Sequence, residues 1–373
     1  MTILSDDRLQ RIRDRASEAD RDNAFFHDDL AELRESGYLR ALVPVELGGL
    51  GMSLREVSRL QRRLATASPA TALGVNMHLI WTGVALALRQ RDNDSLEFVL
   101  REAVAGELFA FGISERGNDR MLFDSTTAAE PVAKGFRLTG TKIFTTLSPA
   151  WTRLGVHARD NSNSDRPLLV FGFLDRDTPG LSVVEDWDAL GMRATHSNST
   201  RLQGALLAAD RVVRRVEPGL SGDGLQWAIF VVFELLLASV YAGLGDRALE
   251  LGVEWADRRS RAEDVLVRAR LADAALALDG VHLGLDALTR DLDEGEASGT
   301  HWFRLVSGVK VRSVAAARGA VDAAIEVAGG AAYSASGELG RLYRDVLAGV
   351  FQPSSVDATR SMIAGDLLGP LDE

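Results

Sequence analysis

The period of the apolar side chains changes twice along this chain, and no other feature constrains the fold as strongly. Residues 1 to about 108 carry apolar positions at helical spacing. Leu30 and Leu33 share a face that Gly37 stops, and Val57, Leu60 and Leu64 form a second stripe. Ser53-Leu54-Arg55-Glu56 is a capping box, and Ser68-Pro69 supplies an N-cap with proline at the first helical position. From about 109 to 216 the period falls to two, in the runs 108–113, 136–145, 168–174, 181–184 and 201–207, with Gly, Asn, Asp and Pro turns between them. From about 222 onward the helical period returns. Leu305, Val309, Ala316, Ala320 and Ala324 then share one face of a helix ending at Gly329-Gly330. The pattern predicts an α+β chain with domains at 1–108 (helical), 109–216 (all-β) and 217–373 (helical).

Composition narrows the chemistry. The 373 residues hold 53 acidic and 42 basic side chains, a net charge of −11, which argues against a nucleic-acid partner. Cysteine is absent, so no disulfide, thiolate nucleophile or Cys-ligated metal is available. The six histidines show no metal-ligand spacing, so no metal is expected. The apolar run Trp227–Gly245 approaches a membrane span in length, but Glu234 and Ser239 interrupt it, and it reads as a buried bundle helix. The N-terminus lacks the apolar core of a signal peptide, and a cytoplasmic location is expected. Gly243-Leu244-Gly245-Asp246-Arg247-Ala248 fits a dinucleotide fingerprint, yet no second βαβ unit follows; the glycines read instead as close helix packing. The acidic run Asp291–Glu296 reads as a solvated loop.

Several short motifs recur in a telling order. They are Gly37-Tyr38-Leu39 with Leu42-Val43-Pro44 and Gly48-Gly49-Leu50-Gly51, then Phe111-Gly112-Ile113-Ser114-Glu115, then Gly140-Thr141-Lys142-Ile143-Phe144-Thr145-Thr146. Leu190-Gly191-Met192-Arg193-Ala194 follows, and Gly329-Gly330-Ala331-Ala332-Tyr333 precedes Arg341-Leu342-Tyr343-Arg344-Asp345. In order and spacing the set resembles the acyl-CoA dehydrogenase family over nearly the whole chain. The resemblance implies an N-terminal helical domain, a middle β-domain and a C-terminal four-helix bundle. It also implies bound FAD and a homotetramer or homodimer. Phe111, Ser114, Phe144, Thr145, Thr146 and Ser355 match cofactor contacts, with Thr146 at flavin N5. Arg259, Gly329 and Gly330 match positions that meet a neighbouring subunit's cofactor.

The match breaks at the catalytic base. Pro353 stands where the family usually carries a glutamate, and proline offers neither a carboxylate nor an N–H. Some family members place the base on a bundle helix, which makes Glu234 a candidate base; a paired structural acid is the other reading. The loop after Ser114 is shortened, Arg259 survives without its Phe-Gly partners, and Glu326 replaces a glutamine. The leading expectation is FAD-dependent α,β-dehydrogenation of an acyl-CoA thioester, with an electron-transfer flavoprotein as acceptor. The alternatives are a flavin-dependent monooxygenase on the same fold, which needs no α-proton base, and a non-catalytic binding relative.

Overall fold

The computed structural model describes residues 3–220 and 222–369. Five helices come first: α1 (Asp6–Asp22), α2 (His27–Glu35), α3 (Leu54–Ala67), α4 (Pro69–Arg89) and α5 (Glu97–Val104). Eight strands follow: β1 (Phe109–Gly112), β2 (Ala128–Val132), β3 (Gly135–Thr145), β4 (Arg153–Asp160), β5 (Leu168–Asp175), β6 (Leu181–Val184), β7 (Asn198–Ala208) and β8 (Val212–Val216). The chain then returns to helix in α6 (Gly224–Arg258), α7 (Val265–Asp293), α8 (His301–Ala328), α9 (Glu338–Phe351) and α10 (Val356–Leu368). This is the acyl-CoA dehydrogenase-like architecture: a helical domain, a mixed sheet and a C-terminal helix bundle.

Local signals behave as the sequence predicts. The capping box at Ser53–Glu56 forms in full, and the Ser68 hydroxyl accepts from the Thr71 N–H above Pro69. Asp293 leaves the acidic run to accept from the Leu54 and Arg55 N–H groups (2.8 and 2.9 Å), so part of that run caps α3.

The sheet runs β6-β7-β3-β2-β4-β5-β8, with β1 pairing in parallel to β4. Trp81 of α4 fastens the helical domain to it. Its indole N–H donates to the Ala110 carbonyl (2.9 Å), and its ring lies beside Phe111 and Phe173. Gly155 of β4 leaves room for that ring, since a Cβ there would sit 2.2 Å from the indole. His78 adds a second tie: one ring nitrogen bonds the Leu39 carbonyl (2.7 Å), and the other accepts from the Phe109 N–H (3.2 Å). Burial holds its pKa down, to about 4, which keeps it neutral for both bonds.

α6 is the central post of the bundle and packs against α3, α4, α7 and α8. Gly243 and Gly245 lie inside it. A Cβ on Gly243 would sit 2.0 Å from the Arg62 carbonyl oxygen, and one on Gly245 would crowd Leu278 and Ala317. The Gly-x-Gly pattern therefore lets helices approach closely. α4 and α6 are each long and apolar enough to cross a membrane, but most of their surface is buried within this fold.

Candidate functional site

The end of β3 carries the most distinctive geometry. Phe136, Leu138 and Lys142 point inward on alternate positions, and simple alternation would bury Phe144 too. The pairing of β3 with β7 shifts register between Lys142 and Thr145. Such an irregularity re-aims side chains. Phe144 takes a positive φ of 55° and stands 58% exposed, with Trp187 edge-on at 6.2 Å. An exposed phenylalanine on a reversed strand end is a platform for a flat ring. Beside it, the Thr146 hydroxyl pairs with Ser197 (2.7 Å), which pairs with Thr195 (2.8 Å). Thr145 is buried, and its hydroxyl has no partner among the described residues. Ser114 joins this edge through its carbonyl, which accepts from the Ile143 N–H (2.9 Å).

Beneath the platform lies a buried hub. The Lys142 ammonium donates to Glu115 (2.6 Å) and to the His157 carbonyl (2.7 Å). Glu115 also accepts from the Ser125 and Thr127 hydroxyls (2.7 and 2.6 Å) and the Thr126 N–H (2.6 Å). Burial alone would raise its pKa. Lys142 and these donors outweigh burial and hold Glu115 well below the usual carboxylate range. Burial lowers Lys142, to about 8, against the pull of Glu115. The hub locks Ser114 and Phe144 to one another through their chain neighbours.

Aromatic contacts join the β-domain to the bundle. Phe111 lies 5.3 Å from Phe233 of α6, and Phe230 lies 4.8 Å from Phe303 of α8 and 6.1 Å from Phe123. Glu234 follows Phe233 but is fully buried. One of its carboxyl oxygens accepts from the Ser354 hydroxyl (2.7 Å); the other is buried without a partner among the described residues. Burial raises its pKa, to about 7, against the Lys310 charge and Ser354. Pro353 sits in the connection between α9 and α10, and Ser355 caps α10 by accepting from Ala358 N–H (3.1 Å).

Arg259, Gly329 and Gly330 stand apart. At about 1.5 Å per residue, Arg259, the C-cap of α6, lies about 37 Å along the helix axis from Glu234. The Arg259 guanidinium is spent on the Ala328 carbonyl and fills the space that a Cβ on Gly329 would need. A groove of about 710 Å³ between α7 and α8, bordered by Arg270, Leu276, Arg312 and Glu326, also lies away from the platform.

Trp187, the Glu115–Lys142–His157 hub and the Lys310–Ser354 contacts escape a reading from sequence. Lys142 alone left a signal: a lysine on the apolar-facing register of a strand needs a buried partner.

Two family models match the chain: "Acyl-CoA dehydrogenase, N-terminal domain" over residues 9–88 and "Acyl-CoA dehydrogenase, C-terminal domain" over 225–351. Among curated proteins, the amino sugar nitrososynthase RubN8 of Streptomyces rubradiris is 30% identical over 372 residues, covering 94% of this chain and 85% of the relative. Isobutylamine N-hydroxylase of Streptomyces viridifaciens is 30% identical over 315 residues, covering 83% and 81%. Among solved structures, KijD3 in complex with FMN and dTDP-3-amino-2,3,6-trideoxy-4-keto-3-methyl-D-glucose superposes with a TM-score of 0.87 at 28% identity, covering 98% of this chain and 92% of that one.

These findings correct three expectations. Dehydrogenation of an acyl thioester is overturned, because the relatives at 30% identity are nitrososynthases and an N-hydroxylase, and Pro353 leaves the usual base position empty of a carboxylate. FAD is overturned, because the flavin in the similar structure is FMN. Acyl-CoA and an electron-transfer flavoprotein fall with them as partners. The matched family models, the relatives and the shared architecture lead to one assignment: the chain is an enzyme of the acyl-CoA dehydrogenase-like superfamily.

Proposed function

We propose that this protein is an FMN-dependent monooxygenase that hydroxylates the nitrogen of an amine, with an amino sugar nucleotide or a small primary amine as substrate. The observation that carries this reading is Pro353, together with the enclosure of Glu234. The position of the usual base offers no carboxylate, and the nearby bundle carboxylate is turned onto Ser354. Oxygenation of an amine needs no α-proton base, because neutral nitrogen brings its own lone pair.

The residues at the β3 end fit an isoalloxazine. Phe144 offers an exposed face, and the Thr145 hydroxyl is a buried polar atom without a partner among the described residues. Thr146, braced by Ser197 and Thr195, sets a hydroxyl at the ring edge, and Ser114 lies on the neighbouring segment. Bound FMN, once reduced, supplies the oxygen-activating chemistry. The protein's share is to orient and to dry the site. Phe111, Phe233, Phe230, Phe303 and Phe123 keep water from the reacting side, and the Glu115–Lys142 hub keeps the two flavin-facing segments in register. One atom of dioxygen goes to the substrate nitrogen and the other leaves as water. The two electrons come from a reduced nicotinamide through a separate flavin reductase.

The test combines purified protein, FMN, a flavin reductase, NADH and isotopically labelled dioxygen with a panel of primary amines and amino sugar nucleotides. Mass spectrometry should find one labelled oxygen on the product nitrogen. Reoxidation of the flavin with no label in any amine would overturn the reading.

A further inference from the structure

The connection between α9 and α10 is four residues long, Gln352–Ser355, and the carbonyls at the end of α9 have no following helical N–H to bond. One of them, that of Gly349, meets a lysine from another helix, which also meets two carbonyls of the connection. The Lys310 ammonium of α8 donates to the carbonyls of Gly349 (2.9 Å), Gln352 (2.6 Å) and Ser354 (2.9 Å), which uses all of its protons. A cation at this place also suits the negative end of α9. α6 holds the same segment from the other side. The Tyr241 hydroxyl donates to the Gln352 side chain (2.7 Å), and Glu234 accepts from the Ser354 hydroxyl (2.7 Å). Glu234 and Lys310 form no direct ion pair; each spends its bonds on the connection. Elsewhere α10 is held lightly: Thr359 is its one buried residue among those described, Met362 packs on the core, and Asp366 meets Arg304 of α8 at a half-exposed ion pair (2.9 Å).

The arrangement carries a cost in stability. Burial raises Glu234 and lowers Lys310, so both charged forms are disfavoured where they sit. An apolar pair of similar size would fill the same space without that cost. What the charged pair achieves is placement of the backbone around Pro353 and Ser355, the segment where the family resemblance sets the usual base and a flavin contact.

We propose that Glu234 and Lys310 are positioning residues that fasten the Gln352–Ser355 connection from two helices, so that Glu234 acts through Ser354 and takes no proton from substrate.

The first measurement needs no activity. It is hydrogen–deuterium exchange over residues 348–359 of the full chain, without flavin. Lys310→Met and Glu234→Ala should speed exchange there by about tenfold or more, with the rest of the bundle unchanged. Ser354→Ala, which removes only the hydroxyl link, should speed it by roughly threefold, and Glu234→Gln, which still accepts from Ser354, should stay near wild type. Unchanged exchange in Lys310→Met, or an equal rise across the whole chain, would overturn the proposal.

The second measurement, amine oxygenation with FMN, rests on the proposed function. Glu234→Gln should keep kcat within about threefold and leave the pH profile unmoved, while Glu234→Ala should act mainly through KM. Loss of turnover in Glu234→Gln with undisturbed exchange would make Glu234 the base and end the positioning reading. If wild type oxygenates no amine, the proposed function fails alone, and the exchange data still decide this one.

Discussion

Lys142→Met tests the buried hub beneath the proposed flavin platform. Lys142 and Glu115 are fully enclosed, and their contact is 2.6 Å. Removing one partner of a buried pair typically costs about 3–5 kcal/mol, because the remaining charge is left uncompensated. Glu115 keeps its bonds from Ser125, Thr126 and Thr127, which places the expected loss near the lower end, about 3 kcal/mol. The loss should depend on pH with a definite sign. In the wild type Glu115 is held below its ordinary value of 4.5, so it stabilises the fold above that pH and the benefit fades on acidification. In the variant, burial acts unopposed by Lys142 and pushes the carboxyl upward, so ionisation becomes a penalty that grows as pH rises. Both effects widen the gap between wild type and variant from pH 4.5 toward pH 7.5. Urea unfolding followed by tryptophan fluorescence at those two pH values measures it. Adding Glu115→Gln to the variant should recover part of the loss, because no buried charge then remains. A difference below about 0.5 kcal/mol at pH 7.5, or one that does not change with pH, would refute the argument that this pair is dry and mutually dependent.

Other outcomes follow from single contacts. Phe144→Ala should change stability by less than about 0.5 kcal/mol, because the ring is 58% exposed, yet weaken FMN about tenfold in a fluorescence titration; an unchanged Kd would remove Phe144 from the flavin site. Gly243→Ala drives a methyl group to within 2.0 Å of the Arg62 carbonyl oxygen, and should cost about 2–3 kcal/mol by thermal unfolding as α3 and α6 are pushed apart. Glu234 is raised from 4.5 to about 7, so the folded state binds the extra proton and wild-type stability falls as pH rises through that window. Glu234→Gln lacks this loss and should gain on wild type by roughly 3 kcal/mol between pH 4.5 and pH 7, read from unfolding curves at the two ends.

The sequence by itself determined what depends on near neighbours in the chain. Helical and strand periods mark the helix–sheet–helix order, Ser53 and Ser68 mark helix starts, and the glycines of 243–245 mark close packing. Each is a property of a few consecutive residues, so its physical cause is local. Two of the three strands that a period-two search misses have local reasons too. β4 is buried on both faces and does not alternate, while β2 carries Pro131 and is short. The ordered motifs point to the superfamily and to the vacancy at Pro353, but not to the reaction, because related folds host different chemistry. Only the tertiary structure decided the site. Alternation along β3 would bury Phe144, and it is the register shift against β7 that turns the ring outward. Glu115, in the loop after β1, becomes a fixed anion because Lys142 reaches it from β3. Glu234 reads in isolation as a candidate base; its contact with Ser354, 120 positions later, decides which way its carboxyl faces. Charge state, exposure and side-chain direction depend on what lies opposite in space, and a chain's own order does not say what that will be.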